Sequence, residues 1–228
     1  NTLNLVDTKK DESILPSRYS YYDVGRLGKI KDQGIYGTCW AFASLTAVET
    51  SLMPEEKYDF SEDNMVWNSG YFGAQYDGGD YTRAISYLAS WRGPVLEEDD
   101  VYGDGINNPD AGVVKHVQEA QIIESKNLEA VKKAVFLYGG VESSLYTSMS
   151  YAGERSMYYN DKNYSYCYIG TKKPNHDVVI IGWDDNYSKD NFSVSLEGNG
   201  AFICVNSWGD RFGDDGLFYV SYYDSNIG

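Results

Sequence analysis

The chain has 228 residues, 42% of them hydrophobic and 15% aromatic, which is enough to bury one large core or two modest lobes. It has 19 Lys and Arg against 34 Asp and Glu, and the resulting net charge of −15 excludes a protein that binds nucleic-acid phosphates. The charge favours neutral or basic peptides as partners. No segment reaches the roughly 20 apolar residues that span a bilayer, so we expect no transmembrane segment. Because Asn1 is followed by no signal-peptide pattern, we expect a processed piece of a longer precursor.

The three cysteines, Cys39, Cys167 and Cys204, lack the Cys-x-x-Cys spacing of zinc knuckles and redox pairs. An odd number leaves at least one thiol free. A bridge between Cys167 and Cys204 stays open at this stage, although Cys204 lies within a β-rich run and is most simply a buried free thiol. Abundant Tyr, Asn and Asp with few cysteines favour an exported bacterial protein, either secreted or held at the cell surface.

Helical periodicity marks the first half of the chain. From Cys39 to Leu52 the apolar residues form a helical stripe that Pro54 ends, so Cys39 is predicted to open a buried helix. Ser61 is predicted to cap a short helix through Trp67. Residues 81–91 carry apolar side chains at helical spacing, and Gly93-Pro94 closes that helix.

Strand patterns mark the second half. Residues 113–123 alternate as a strand does, and Asn127 is predicted to cap a helix over residues 128–138. Further β-rich runs are separated by turn residues, which is typical of an antiparallel sheet. These runs cover residues 140–146, 178–183, 201–206 and 217–222.

The change of pattern predicts an α+β domain of two lobes over residues 1–228. We assign residues 22–112 to a helical lobe and residues 113–228 to a β-rich lobe built on a curled or barrel-like sheet. Residues 1–21 are predicted to pack on the second lobe, and the active-site cleft lies between the two. Acidic clusters at residues 97–105 and 183–191 lack the EF-hand spacing, so we interpret them as solvated loops rather than calcium sites.

Cys39 is the candidate nucleophile. A thiolate attacks more readily than a thiol, and the start of a helix supplies N–H groups and a positive dipole end that lower the thiol pKa. A base must lie near, and the chain has two histidines. His176 precedes the buried run VVIIGW, where an imidazole can be held rigidly, whereas His116 lies in an alternating segment and is interpreted as a solvated or capping residue.

Two amide side chains complete the candidate site. Asn206 can accept the second ring N–H of His176, and the indole of Trp208 would shield that hydrogen bond from water. Gln33 lies six residues before Cys39 across a tight glycine-containing loop, so its side-chain N–H and the Cys39 backbone N–H can form an oxyanion hole. Taken alone, each amide has a simpler interpretation, a turn former for Asn206 and a surface loop residue for Gln33.

Together these segments resemble the papain family of cysteine peptidases. QGIYGTCWAF (33–42) is similar to that family's nucleophile segment, NHDVVIIGW (175–183) to its histidine segment, and NSWGDRFGDDGLFYV (206–220) to its Asn-Ser-Trp-Gly segment. His176 lies 137 residues after Cys39, within the approximate window of 130–150 for this family. Asn206 lies 167 residues after Cys39, beyond that window, and the polar stretch 184–200 fits an insertion.

The resemblance implies a papain-like two-lobe fold with a catalytic set of Cys39, His176, Asn206 and Gln33. It also implies a polypeptide substrate, a pro-segment in the precursor, and a reaction that needs no metal and no organic cofactor.

The resemblance assigns four residues to the substrate cleft: Gly78, Gly79, Asp177 and Trp208. Gly78 and Gly79 lie in YDGGD (76–80) and would contact the substrate backbone, which glycine allows to approach closely. Asp177 would border the pocket for the second residue upstream of the cleaved bond. There it either selects a basic residue or turns away and caps the strand.

The pattern also departs from the family. A cysteine usually lies three residues before the nucleophile and is paired in a disulfide, but here Tyr36 occupies that position. Other packing must therefore brace the loop that holds Gln33. The residue before the nucleophile is Thr38 instead of the usual Ser. Among the branches, segments such as SEDNMVWNSG (61–70) most resemble bacterial surface-layer and cell-wall-processing peptidases, which often carry a lectin-like domain.

We therefore predict a cysteine endopeptidase that acts on surface or extracellular proteins through a thiolate–imidazolium pair and an acyl-enzyme. One alternative is an acyltransferase or amidase that acts on cell-wall peptides through the same thioester. Another is a non-catalytic adhesion module. The presence of Cys39, His176, Asn206 and Gln33 together disfavours the adhesion module.

Overall fold

The computed structural model describes residues 15–71 and 76–228. Of the segment 1–21 that was predicted to pack on the second lobe, residues 1–14 therefore lie outside the described residues. The helices are α1 (Cys39–Leu52), α2 (Glu62–Asn68), α3 (Tyr81–Ala89) and α4 (Leu128–Leu137), with a 3₁₀ turn at Lys189–Asn191. The strands are β1 (Arg18–Ser20), β2 (Val141–Leu145), β3 (Tyr159–Asn160), β4 (Ser165–Tyr166), β5 (His176–Asp184), β6 (Ala201–Val205) and β7 (Leu217–Ser221).

Helix α1 lies between two hydrophobic clusters. Its first seven residues are all buried, and Trp40, Ala41 and Leu45 pack into a cluster with α2 and α3. Ala43 faces the other way, into the cluster of the sheet and α4. The helix ends at Leu52, as predicted, because Pro54 forces the residue before it into extended backbone.

Local sequence explains the ends of the shorter helices. The Ser61 side chain accepts the N–H of Asn64 at the start of α2, and Asp80 accepts the N–H of Thr82 at the start of α3. Asn127 accepts the N–H of Ala130 and caps α4, as predicted. Helix α4 packs on β5 and β2, so it belongs to the β-rich half.

The strands form one open sheet in the order β1-β5-β6-β7-β4-β3, and β2 pairs with β5 as well. β4 and β7 are parallel, whereas the other pairs are antiparallel. The prediction of a curled β-rich half is therefore correct in kind, but the sheet is mixed and does not close into a barrel. β5 is buried along almost its whole length because neighbouring strands and helices cover it.

The predicted strand over residues 113–123 is wrong. The segment has no regular secondary structure and runs over the helical half, where Lys115 pairs with Glu56 at 2.6 Å. His116 is exposed, as expected, and its ring stacks on Trp91 with centroids 4.6 Å apart. An alternating pattern needs a neighbouring strand to form a ladder, and this segment meets helices instead.

The acidic cluster at residues 97–105 is not a solvated loop throughout. Asp100 is 3% exposed and accepts hydrogen bonds from the Asn64 side chain and the Asn108 backbone. Glu97 accepts the backbone N–H of Tyr102 at 3.0 Å. These carboxylates hold the segment in place through hydrogen bonds to the protein.

Within residues 15–71 and 76–228, no group of three or more His, Cys, Asp or Glu side chains is arranged to hold a metal ion. None of the helices described there has the length and apolar character needed to cross a bilayer.

Candidate active site

His176 and Asn206 meet at one end of the sheet. β5 begins at His176, and Asn206 follows the last residue of β6. The two strands are antiparallel, with Val179 opposite Val205, so the start of β5 lies beside the end of β6. Both side chains are buried, with 6% of His176 and 2% of Asn206 exposed.

A hydrogen bond orients the imidazole. His176 Nε2 lies 2.8 Å from Asn206 Oδ1, an oxygen that also accepts the backbone N–H of Ser207 at 2.8 Å. Because an amide oxygen only accepts, Nε2 carries the proton and Nδ1 keeps a free lone pair. The Trp208 indole lies against the imidazole, with ring centroids 4.7 Å apart, and keeps water from this bond.

Cys39 is the first residue of α1, and this helix packs on β5. The backbone N–H groups of Trp40 and Asp177 donate to its thiol. Asp177 directly follows His176, so the thiol lies near the start of β5. Thr38 occupies the N-cap position without a capping hydrogen bond from its side chain. The first-turn N–H groups are therefore not taken up by that hydroxyl.

Burial dominates the charge state of the resting site. It raises the pKa of Cys39 to about 12, and the Asp177 charge acts in the same direction. Burial also lowers the pKa of His176 to about 4. The helix start alone therefore does not give the low thiol pKa expected from the sequence.

Gln33 is held on several sides. Its backbone N–H donates to Ser207 O at 2.8 Å, and its Oε1 accepts from Ser207 Oγ at 2.6 Å. Its Nε2 donates to Tyr36 O at 2.6 Å, which leaves the second N–H of that amide for another acceptor. Since Ser207 follows Asn206, these bonds join the Gln33 loop to the segment whose Asn206 contacts His176. The side chain is 5% exposed, so it is not the surface loop residue that a lone Gln usually is.

Gly78 and Gly79 lie against the nucleophile segment. A Cβ atom at Gly37 would lie 2.9 Å from the backbone N of Gly78, and one at Gly79 would lie 2.5 Å from Trp40 Nε1. Arg83 donates to Gly78 O at 2.5 Å and covers the face of Trp40. The close approach explains glycine at positions 37 and 79, whereas at Gly78 the reason is a φ of +121°, in the region that favours glycine. Contact with a substrate backbone remains a prediction.

Asp177 lies beside a second buried acid. Its Oδ1 accepts from Ser144 Oγ on β2, and burial raises the pKa of Asp177 to about 6. Glu142, also on β2, accepts from Ser44 on α1, and burial together with the nearby Asp177 charge raises its pKa to about 8. Glu142 Oε1 is buried without a hydrogen-bond partner among the described residues. No motif indicates Glu142, because only the pairing of β2 with β5 brings the two acids together.

Tyr102 is a second residue that no motif indicates. Its hydroxyl donates to Gln33 O at 3.0 Å and lies 2.6 Å from Thr38 Oγ1. The residue is 64 positions beyond Thr38 in an acidic loop, and only the fold brings them together.

Comparison with known proteins identifies the family. The model of the papain family of cysteine proteases matches residues 15–227. The chain belongs to the papain family of cysteine proteases.

Relatives of this papain-family chain include a cysteine protease of Blomia tropicalis, 27% identical over 94% of this chain and 63% of the relative. Cathepsin S of Bos taurus is 26% identical over 93% of this chain and 62% of its own length. A crystal structure of the cysteine protease and lectin-like domains of Cwp84, a surface layer associated protein of Clostridium difficile, superposes with a TM-score of 0.82. It is 32% identical and covers 94% of this chain and 50% of that one. The chain thus spans between half and about two thirds of the length of these proteins.

Proposed function

We propose that this papain-family chain is a cysteine endopeptidase with Cys39 as nucleophile, His176 as base and acid, and Asn206 as the residue that orients the imidazole. The observation that carries the proposal is the hydrogen bond of 2.8 Å from His176 Nε2 to Asn206 Oδ1. It directs Nδ1 away from Asn206 and leaves that nitrogen available to act as the base. The residue after His176 is Asp177, and its backbone N–H donates to the Cys39 thiol.

The reaction follows from these positions. His176 Nδ1 takes the thiol proton, and the Cys39 sulfur attacks the carbonyl carbon of the peptide bond. The negative charge on the carbonyl oxygen is stabilised by the Cys39 backbone N–H and the free N–H of Gln33 Nε2. His176 then protonates the leaving amine, and the C–N bond breaks to leave a thioester. Water, deprotonated by His176, attacks the thioester and releases the acid and the thiol.

We propose a preference for a basic residue at the second position upstream of the cleaved bond. Asp177 and Glu142 supply two acids at the start of β5, and Asp80 lies close enough to influence both. At neutral pH the Asp177 carboxylate, with a pKa of about 6, is mostly charged. The net charge of −15 attracts cationic substrates to the whole surface.

We propose a bacterial protein that is secreted or held at the cell surface and that cleaves surface or extracellular proteins. Support comes from the Cwp84 structure, described as that of a surface layer associated protein. A second Cwp84 structure, 34% identical, was solved after propeptide cleavage, which supports a pro-segment in the precursor of this chain.

Labelling with a peptidyl epoxide, followed by mass spectrometry, tests the proposal. The wild type should be modified at Cys39 alone, because Cys39 is 9% exposed whereas Cys167 and Cys204 are completely buried. Cys39→Ala should not be labelled. His176→Ala should be labelled at least about 100-fold more slowly, since the general base is lost. Labelling of Cys39 no faster than of the other two cysteines would overturn the peptidase.

A further inference from the structure

We propose that Tyr102 is a positioning residue for the oxyanion hole. It would act through the Gln33–Thr38 loop, within a tyrosine cluster made of Tyr36, Tyr76 and Tyr102. The inference rests on the proposed peptidase activity and adds a residue outside the nucleophile, histidine and Asn-Ser-Trp-Gly segments.

The Tyr102 hydroxyl bridges the two ends of the loop. It donates to Gln33 O at 3.0 Å and lies 2.6 Å from Thr38 Oγ1. Since its one proton goes to the Gln33 carbonyl, Thr38 donates the proton in the second bond. The bridge thus ties the residue that carries the side-chain oxyanion donor to the residue that precedes the nucleophile.

The same contact affects the start of α1. Threonine at an N-cap position commonly accepts an N–H of the first helical turn, but the Thr38 side chain makes no such bond. Its hydroxyl is turned toward Tyr102 instead. This arrangement keeps the Thr38 hydroxyl from competing for N–H groups at the Cys39 end of the helix, where the Cys39 N–H is the proposed donor to the substrate oxygen.

Ring packing braces the middle of the loop. Tyr36 packs against Tyr76 with centroids 4.6 Å apart, and Tyr102 meets Phe42 edge to face at 4.8 Å. Gly37 N also donates to Tyr76 O at 2.6 Å. Position 36 is where the family usually has a disulfide cysteine, so the tyrosine cluster supplies by packing and hydrogen bonds the restraint that a covalent link would give.

The cluster is itself anchored to the helical half. The Tyr76 hydroxyl donates to Asp63 and accepts from Trp67 Nε1 at 3.1 Å. The Tyr102 backbone N–H donates to Glu97. The loop is therefore tied to α2 and to the acidic segment, which gives Tyr102 a fixed position from which to hold Gln33.

Tyr102→Phe tests the proposal, because it removes both hydroxyl bonds and keeps the ring. The kcat for a peptide amide should fall about tenfold, since a displaced oxyanion donor stabilises the transition state less, while KM changes less than about twofold. Alkylation of Cys39 by iodoacetamide forms no oxyanion, so its rate should stay within about twofold of wild type.

Tyr187→Phe is the matched control. Tyr187 is also half-buried and donates its hydroxyl to a backbone carbonyl, that of Asn163 at 2.6 Å, but it lies in the β-rich half away from the loop. This variant should keep the wild-type kcat. A kcat for Tyr102→Phe equal to that of the control would overturn the proposal, as would equal losses in hydrolysis and alkylation. A wild type that is alkylated rapidly but hydrolyses no peptide would contradict the proposed function itself.

Discussion

Two acidic residues, Asp177 and Glu142, set the electrostatic environment of the Cys39 thiol. Asp177 donates its backbone N–H to the Cys39 thiol, which favours the thiolate, while its carboxylate charge disfavours it. Glu142 adds a weaker effect of the same sign. The backbone of Asp177 thus stabilises the thiolate, whereas the side-chain charges of Asp177 and Glu142 destabilise it. Substitution of these side chains removes the charge and keeps the backbone hydrogen bond.

Asp177→Asn should make Cys39 ionise at lower pH. A negative charge near the sulfur raises the thiol pKa, so its removal lowers that pKa, whereas the backbone N–H is retained. The pH midpoint of Cys39 alkylation should move down by about 0.5–1 unit. The preference for Arg or Lys over Leu at the second upstream position should fall about tenfold if the side chain faces the substrate.

Asp110→Asn, an exposed acid for comparison, should change neither quantity. An unchanged alkylation midpoint in Asp177→Asn would contradict the electrostatic role assigned to this carboxylate.

A buried cluster of charged side chains joins helices α1 and α2. Lys31 Nζ contacts Glu49 on α1 and Glu62 on α2, each at 2.8 Å, and donates to Phe60 O at 2.9 Å. Burial raises the pKa of Glu62 to about 8 even with the lysine present. The lysine therefore holds two acids that would otherwise be unpaired in the helical half.

Lys31→Met should destabilise the protein by about 3–5 kcal/mol, because it leaves buried carboxylates without a cation. Thermal unfolding at pH 7 should show a Tm lower by about 10 °C. The loss should shrink at pH 5, because carboxyl groups whose pKa is raised in the folded state favour folding more strongly as the pH falls.

Lys115→Met breaks a partly exposed pair with Glu56 and should lower the Tm much less, because solvent screens the attraction between the two groups. A similar Tm for both variants would show that the Lys31 cluster contributes no more than a surface pair.

The starts of several helices can be predicted from the sequence alone. The helix starts at Cys39, Ser61 and Asn127 follow from local caps and periodicity, and the structure confirms each of them. The His176–Asn206 contact follows from adjacent antiparallel strands. Residues 113–123 mislead because alternation describes exposure on a surface, and a helical neighbour produces the same pattern as a strand partner.

Other features depend on contacts between distant segments. Tyr102 reaches Gln33 across 69 positions, and Glu142 reaches Ser44 across 98. Neither residue lies in a motif, and the side-chain direction of each is set by tertiary packing. The sequence therefore predicts the catalytic candidates but not the groups that position and charge their surroundings.

The net charge of −15 creates an electrostatic field around the whole molecule. Long-range attraction speeds the encounter with cationic peptides and is screened within about 8–10 Å at physiological salt. For a peptide with two or more Lys residues, kcat/KM should fall severalfold between about 20 and 300 mM NaCl, mainly through KM. A neutral peptide with the same cleavage sequence should show less than a twofold change. Equal salt dependence of the two peptides would contradict electrostatic attraction.

All three cysteines are free, and the loop before the nucleophile is restrained by tyrosines instead of sulfur. Reducing agents that regenerate an oxidised Cys39 therefore have no covalent bond in the fold to break. If Cys39 is the nucleophile, as we propose, its oxidation by peroxide to sulfenic acid should be reversible in strong reductant without unfolding of the protein.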